Sequence, residues 1–171
     1  MKLTMICRLF FAVALAPLLA LPQAASARLL STADLVIVEK SERKLHLVSN
    51  GAVFRSYDIS LGKNPVGHKI YKGDGRTPEG RYYLDWRNPQ SRFHKSIHIS
   101  YPNEQDRVRA ERLGRAPGGY IMIHGIPNKY RRAPELFEGM DWTEGCIAVS
   151  NEDMEEIWQL VADNTPIEIY P

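Results

Sequence analysis

Cysteine is nearly absent: two residues in 171, Cys7 and Cys146. So few thiols exclude a disulfide framework, and the lack of a Cys-x-x-Cys pair weakens a thiol relay. Excess charge of either sign is also missing. Taking Lys2 and Arg8 of the N-terminal segment from the 22 basic residues leaves 20, against 20 acidic ones. A neutral chain argues against nucleic acid or an anionic membrane surface as the main partner. Gly73, Gly75 and Gly80 are followed by no Gly-Lys-Ser/Thr, so they form no phosphate cradle. There are no internal repeats, low-complexity stretches or interdomain linkers, and one domain with a real core is expected.

What is present begins with a targeting segment. Lys2 and Arg8 supply a positive flank, and Leu9 to Leu21 an apolar stretch broken only by Pro17. Ala25-Ser26-Ala27 is a small-x-small cleavage site. The apolar stretch falls short of the roughly 20 residues of a spanning helix. A signal peptide over residues 1–27 is expected, with export to the periplasm. The mature domain, residues 28–171, then has no membrane span after signal removal; an uncleaved anchor is the alternative. Cys7 precedes the apolar stretch and leaves with the signal. Cys146 becomes a single unpaired thiol in an oxidising compartment. Such a thiol is either used or buried and inert.

Period-two patterning dominates the remainder. Leu35–Val38, Lys44–Val48 and Ala52–Ile59 read as three strands of a meander, with Ser49-Asn50-Gly51 as a hairpin turn. Residues 62–80 form a long glycine-rich loop. Arg81–Trp86 returns as a strand, as does Lys95–Tyr101, with Ile97, Ile99 and Tyr101 on one face and Ser96, His98 and Ser100 on the other. His94 is placed on the same face as His98, and His46 faces solvent. Asn103 caps a polar surface helix running to about Leu113. Tyr120–Ile123 is an apolar strand ending at His124. Ser150 starts a second helix, with Asp153 completing an analogue of the capping box. Its buried face is Met154, Ile157, Trp158 and Val161, and Pro166–Tyr170 closes the domain. The expected fold is mainly β with two helices.

The chemistry concentrates in two segments, Ile121-Met122-Ile123-His124-Gly125 and Asp141-Trp142-Thr143-Glu144-Gly145-Cys146-Ile147-Ala148-Val149. A thiolate attacks a carbonyl, and a nearby imidazole takes the thiol proton or holds the thiolate as an ion pair. Gly145 lets backbone approach beside Cys146, where N–H groups can face a developing oxyanion. His124 ends a rigid strand, and the Gly125 carbonyl can accept from its ring. A thiol titrating well below pH 8.5 is expected of such an enzyme.

The His-Gly pair, a loop and Thr143-x-Gly145-Cys146 resemble the catalytic motif of the L,D-transpeptidase family, the YkuD fold. Thr77-Pro78-Glu79-Gly80-Arg81-Tyr82 resembles that family's Thr-Pro-x-Gly-x-[Phe/Tyr] strand start, and Leu35 to Gly62 its opening strands. The resemblance covers Leu35 to Tyr170. It implies a sandwich-like β fold with Cys146 as nucleophile, His124 as proton donor and acceptor, Gly125 as the carbonyl orienting His124, and Gly145 in the oxyanion region. It implies peptidoglycan stem peptides of the meso-diaminopimelate type as substrate, and no metal or organic cofactor. The sequence departs from the family pattern at Glu144 and Ala148, where His and Arg are usual. The 18 residues between His124 and Thr143 make a slightly long spacing. Glu144 and Trp142 resemble a YafK-like subgroup that includes hydrolytic members.

Four outcomes stay open: a transpeptidase, a hydrolase acting as carboxypeptidase or as amidase on a stem-linked lipoprotein, a non-catalytic wall-binding module, and a thiol relay. Substrate contacts are expected from Trp142, Thr143, Glu144 and His98. Tyr130, Arg131 and Arg132 belong to a loop over residues 126–140 that can act as a lid.

Overall fold

Alternation of apolar and polar side chains builds the first strands. In β1 (Leu35–Glu39) and β2 (Lys44–Ser49), Val36, Val38, Leu45 and Leu47 are fully buried while their neighbours face outward. Asn50 and Gly51 both take positive φ, 52° and 76°. That geometry turns β2 tightly into β3 (Ala52–Asp58). The computed structural model describes residues 32–171. The expected signal segment, its cleavage site and Cys7 lie outside the described residues.

The meander is extended by a parallel pairing of β1 with the C-terminal strand β8 (Thr165–Tyr170). Beyond β8 lie β4 (Gly80–Asn88), β5 (Ser96–Ile99), β6 (Met122–His124) and β7 (Ile147–Ala148). The eight strands make one sheet in the order β3-β2-β1-β8-β4-β5-β6-β7. Its two ends are drawn together. Ser60, just past β3, exchanges both backbone hydrogen bonds with Ala148 of β7, each 2.8 Å. The Thr143 N–H donates to the Leu61 carbonyl at 3.1 Å, and the Lys63 N–H to the Thr143 carbonyl at 3.0 Å. The sandwich-like layering therefore arises by curling one sheet, not by stacking two.

Inside the curl lie Ile97, Ile99, Ile123, Ile147, Leu84 and Ile167, with Met154, Ile157 and Leu160 of helix α2 (Asn151–Leu160). Each such side chain contributes about 1.5–3 kcal/mol by leaving water. Trp158 packs against this cluster only partly buried. The Ser150 side chain accepts the Asp153 N–H at 3.0 Å, without the reciprocal bond of a full capping box. The complete box belongs to helix α1 (Glu104–Glu111), where Asn103 and Asp106 bond reciprocally at 3.0 Å each. α1 has few apolar residues, and its attachment is polar: buried Asp106 accepts Tyr82 Oη at 2.9 Å and lies 2.9 Å from His68 Nε2.

One histidine placement is corrected. His94 lies in the turn before β5 at φ 65°. Period two does not apply there, and its ring turns to Glu155 at 2.7 Å, away from His98. His46 is on the outward face, as expected, and is half covered by its cross-strand neighbour, with Nδ1 2.7 Å from Ser56 Oγ. Among the described residues, no helix is long and apolar enough to cross a membrane.

Candidate active site

Strand register brings the two chemical segments together. β6 and β7 run parallel, with Ile123 opposite Ile147 and His124 opposite Ala148. One residue earlier, Cys146 is level with Met122. Ile123 and Ile147 are fully buried, so His124 and Cys146 share the other face of the sheet. They are diagonal neighbours on adjacent strands, a spacing of about 7–8 Å that ring side chains can bridge.

His124 is fixed from several sides. Its Nδ1 lies 2.6 Å from the Gly125 carbonyl oxygen. A carbonyl only accepts, so Nδ1 carries the hydrogen and Nε2 the lone pair. Phe93 packs over the ring at 4.6 Å between centroids, and Trp142 meets it edge-on at 5.6 Å. Burial lowers the His124 pKa to about 4, opposed only by the bond to Gly125. Gly125 has no room for a side chain, because a Cβ there would overlap Asn151 Oδ1. That oxygen accepts the Ile126 N–H at 2.9 Å and ties the end of β6 to α2.

The turn before Cys146 is built by Thr143. Its hydroxyl donates to the Cys146 carbonyl at 2.7 Å and accepts the Gly145 N–H at 3.1 Å. Gly145 has φ 127°, and a Cβ there would sit 2.5 Å from the Arg76 carbonyl oxygen. Only glycine fits that conformation and that approach. With the Gly145 N–H committed to Thr143, the donor left beside the sulfur is the Cys146 N–H. It makes no hydrogen bond among the described residues.

The Cys146 thiol donates to the Tyr120 carbonyl at 3.6 Å. Burial pushes its pKa up, with the Met122 N–H and the charge of Lys69 pulling the other way. Burial works against the thiol titrating well below pH 8.5 that is expected of an enzyme, while Met122 and Lys69 work for it. Burial acts on both members of the pair, raising the thiol and lowering the imidazole, and so favours the neutral form of each. Lys69 Nζ lies 2.8 Å from Asp74 Oδ1. The Asp74 carboxylate also gathers the N–H groups of Ile70, Tyr71 and Arg76 at 2.7–3.1 Å. This ordered loop carries the Arg76 carbonyl that abuts Gly145.

Residues 33–169 match the family model YkuD, the L,D-transpeptidase catalytic domain. The chain belongs to the L,D-transpeptidase family. It is 32% identical to YafK of Escherichia coli (strain K12), over 77% of this chain and 51% of that protein. Among solved structures, the helical cell shape determining protein Pgp2 from Campylobacter jejuni superposes with a TM-score of 0.62 at 28% identity, over 79% of this chain and 46% of that one. Bd1075 of Bdellovibrio bacteriovorus shares the fold, with a TM-score of 0.55 at 23% identity, over 82% of this chain and 51% of that one. The chain thus spans about half the length of the relatives it matches.

Within this L,D-transpeptidase domain the expected substrate contacts divide. Trp142 stands against His124, and Phe137 packs on Trp142 at 4.8 Å. Tyr130 packs on Phe137 at 5.3 Å, so the loop over residues 126–140 is joined to the imidazole by an aromatic chain. Arg131 and Arg132 on that loop are exposed. Thr143 is corrected: it is 4% exposed, and its hydroxyl is spent inside the turn, so it shapes the site without facing a substrate. Glu144 is exposed and paired with Lys63. His98 lies on the face shared with Cys146, bonded to Asp85.

A cavity of 780 Å³ lies under the loop, walled by Ile59, Phe137, Met140, Asp141 and Trp142. It shares Trp142 with the surroundings of His124, but neither His124 nor Cys146 lines it. Phe93, Tyr120, Lys69 and Asp74 were not singled out by the sequence. Among the described residues, no cluster of three His, Cys, Asp or Glu side chains could hold a metal ion.

Proposed function

We propose that this chain is an exported cysteine acyltransferase of the L,D-transpeptidase family that acts on peptidoglycan stem peptides, with Cys146 as nucleophile and His124 as base. The observation that carries the reading is the shared sheet face of Cys146 and a His124 whose tautomer leaves Nε2 free to take a proton. The thiol turns from the Tyr120 carbonyl toward Nε2 as substrate enters. Sulfur attacks the carbonyl at the L-centre of the diamino acid while its proton passes to Nε2. Proton transfer from a raised thiol to a weak base is uphill, so it must accompany C–S bond formation. The Cys146 N–H faces the oxyanion. The imidazolium, a strong acid in this buried site, protonates the leaving amine as the C–N bond breaks. An acceptor amine or water then attacks the thioester and gives its proton to Nε2, which passes it to the sulfur as the C–S bond breaks.

An amine acceptor gives transpeptidation; water gives carboxypeptidase action, or amidase action if the leaving amine belongs to a wall-linked lipoprotein. Similarity to Pgp2 supports a role in the wall that bears on cell shape. The test is digestion of purified sacculi and isolated muropeptides with wild-type protein and with Cys146→Ala. Wild type is expected to change the muropeptide profile and Cys146→Ala to leave it untouched at unchanged thermal stability. Identical profiles would refute the catalytic reading. New cross-links or trimmed stems in the wild-type profile separate transfer from hydrolysis.

A further inference from the structure

His98, Asp85, Trp86 and Tyr120 form a cluster that the mechanism above does not use. Register fixes where it sits. His98 of β5 pairs with Met122 of β6, and Met122 is level with Cys146 of β7. The three side chains form one row across adjacent strands, on the face opposite buried Ile97, Ile123 and Ile147. Two strand spacings separate His98 from Cys146, about 10 Å.

A bulge in β4 between Leu84 and Arg87 turns Asp85 and Trp86 against His98. His98 Nδ1 lies 2.6 Å from Asp85 Oδ1. Trp86 stacks on the imidazole at 4.7 Å and 15°, and the Tyr120 ring stands edge-on at 6.4 Å. Tyr120 is 78% exposed, while its carbonyl touches the Cys146 thiol. Among the described residues Asp85 pairs with no lysine or arginine.

The chemistry of this group is one-sided. It offers a carboxylate, two aromatic rings and an imidazole whose Nδ1 is turned to Asp85. It holds acceptors and π faces, which recognise a cation. Two ligands are too few for a metal site. We propose that Asp85, His98, Trp86 and Tyr120 form a subsite for a primary ammonium on the substrate residue whose carbonyl Cys146 attacks. The inference rests on the stem-peptide reading. In a diamino acid of that kind, the side-chain nitrogen lies on the order of 7 Å from the attacked carbon when extended. Adding the C–S bond at one end and a hydrogen bond at the other gives about 12 Å, the same order as the two strand spacings of about 10 Å between Cys146 and His98.

The experiment uses two stem tetrapeptides, in which a further residue follows the diamino acid and supplies the leaving amine, one with the side-chain amine free and one with that amine acetylated. Binding to the Cys146→Ala protein is measured by calorimetry, so the result does not depend on turnover. The free amine is expected to bind about tenfold more tightly, the scale of one charge-assisted contact. Asp85→Asn and His98→Gln, each placed in the Cys146→Ala background, are expected to reduce that ratio to about threefold or less. Either variant suffices if the other does not fold, as thermal unfolding will show. A ratio near one in the Cys146→Ala protein, or an undiminished ratio in the folded variants, overturns the subsite. Turnover of the same two peptides by the wild-type protein tests the catalytic reading separately, so a subsite can fail while the reaction stands, or the reverse.

Discussion

Lys69 and Asp74 form an ion pair with side chains only 3% and 5% exposed, in the loop that abuts the glycine before Cys146. Two charges withdrawn from water this fully are held by geometry. Three backbone N–H groups share the carboxylate, and the Tyr71 carbonyl accepts from the ammonium at 3.2 Å. The pair has a structural task, ordering the loop, and an electrostatic one, placing positive charge near the sulfur.

Lys69→Met leaves Asp74 buried without its cation. Breaking such a pair from one side costs about 3–5 kcal/mol. The variant is expected to unfold at a clearly lower temperature. Its folded fraction should alkylate at Cys146 more slowly than wild type at a fixed pH near 8, since the thiol loses a charge that favours its ionised form. Equal alkylation rates would show that Lys69 acts on the fold alone.

His124 couples stability to pH. Its pKa falls from 6.5 unfolded to about 4 folded. Above 6.5 both states hold the ring neutral and its contribution to stability is complete. As the pH drops from 6.5 toward 4, the unfolded chain binds a proton that the folded one refuses, so stability falls. The full difference is about 3 kcal/mol. His124→Gln should flatten the dependence of unfolding free energy on pH in this window relative to wild type. Denaturant titrations at pH 7, 5.5 and 4 measure it, and parallel curves for the two proteins would disprove the shift.

Gly145→Ala places a Cβ against the Arg76 carbonyl at a φ of 127°. Both the backbone conformation and the contact are unfavourable, together about 2–4 kcal/mol. The turn relaxes by moving Cys146 and its N–H, so activity is expected to fall by at least about a hundredfold, as when an oxyanion donor is lost. Thermal unfolding and the sacculus digest check the two halves of this expectation.

The fold was largely legible because its signals are local. Val36, Val38, Leu45 and Leu47 alternate, Asn50-Gly51 turns, and Ser150 begins an amphipathic helix. Cys146 and His124 stood out by residue type, and the strand register places them on one face of the sheet. The site was illegible where chemistry comes from position. Phe93 sits in a turn with no periodicity, yet its ring covers His124. Lys69 lies in a polar, glycine-rich loop that the sequence presents as solvated, and only the fold shows it buried. Desolvation of the thiol was illegible for the same reason: it depends on what surrounds the sulfur in space, not on its neighbours in the chain.

The two hydrogen bonds between Ser60 and Ala148 join segments nearly ninety residues apart, and β1 cannot find its parallel partner until β8 has been synthesised. Contacts this distant form late, after the local hairpins. Cys146 lies two residues before Ala148, so its surroundings are completed by those last contacts. An unfolded chain carries an ordinary cysteine without a base, an oxyanion donor or a wall. On the proposed mechanism, thiol and base meet only with closure of the sheet, so the thiol stays idle until the protein has folded.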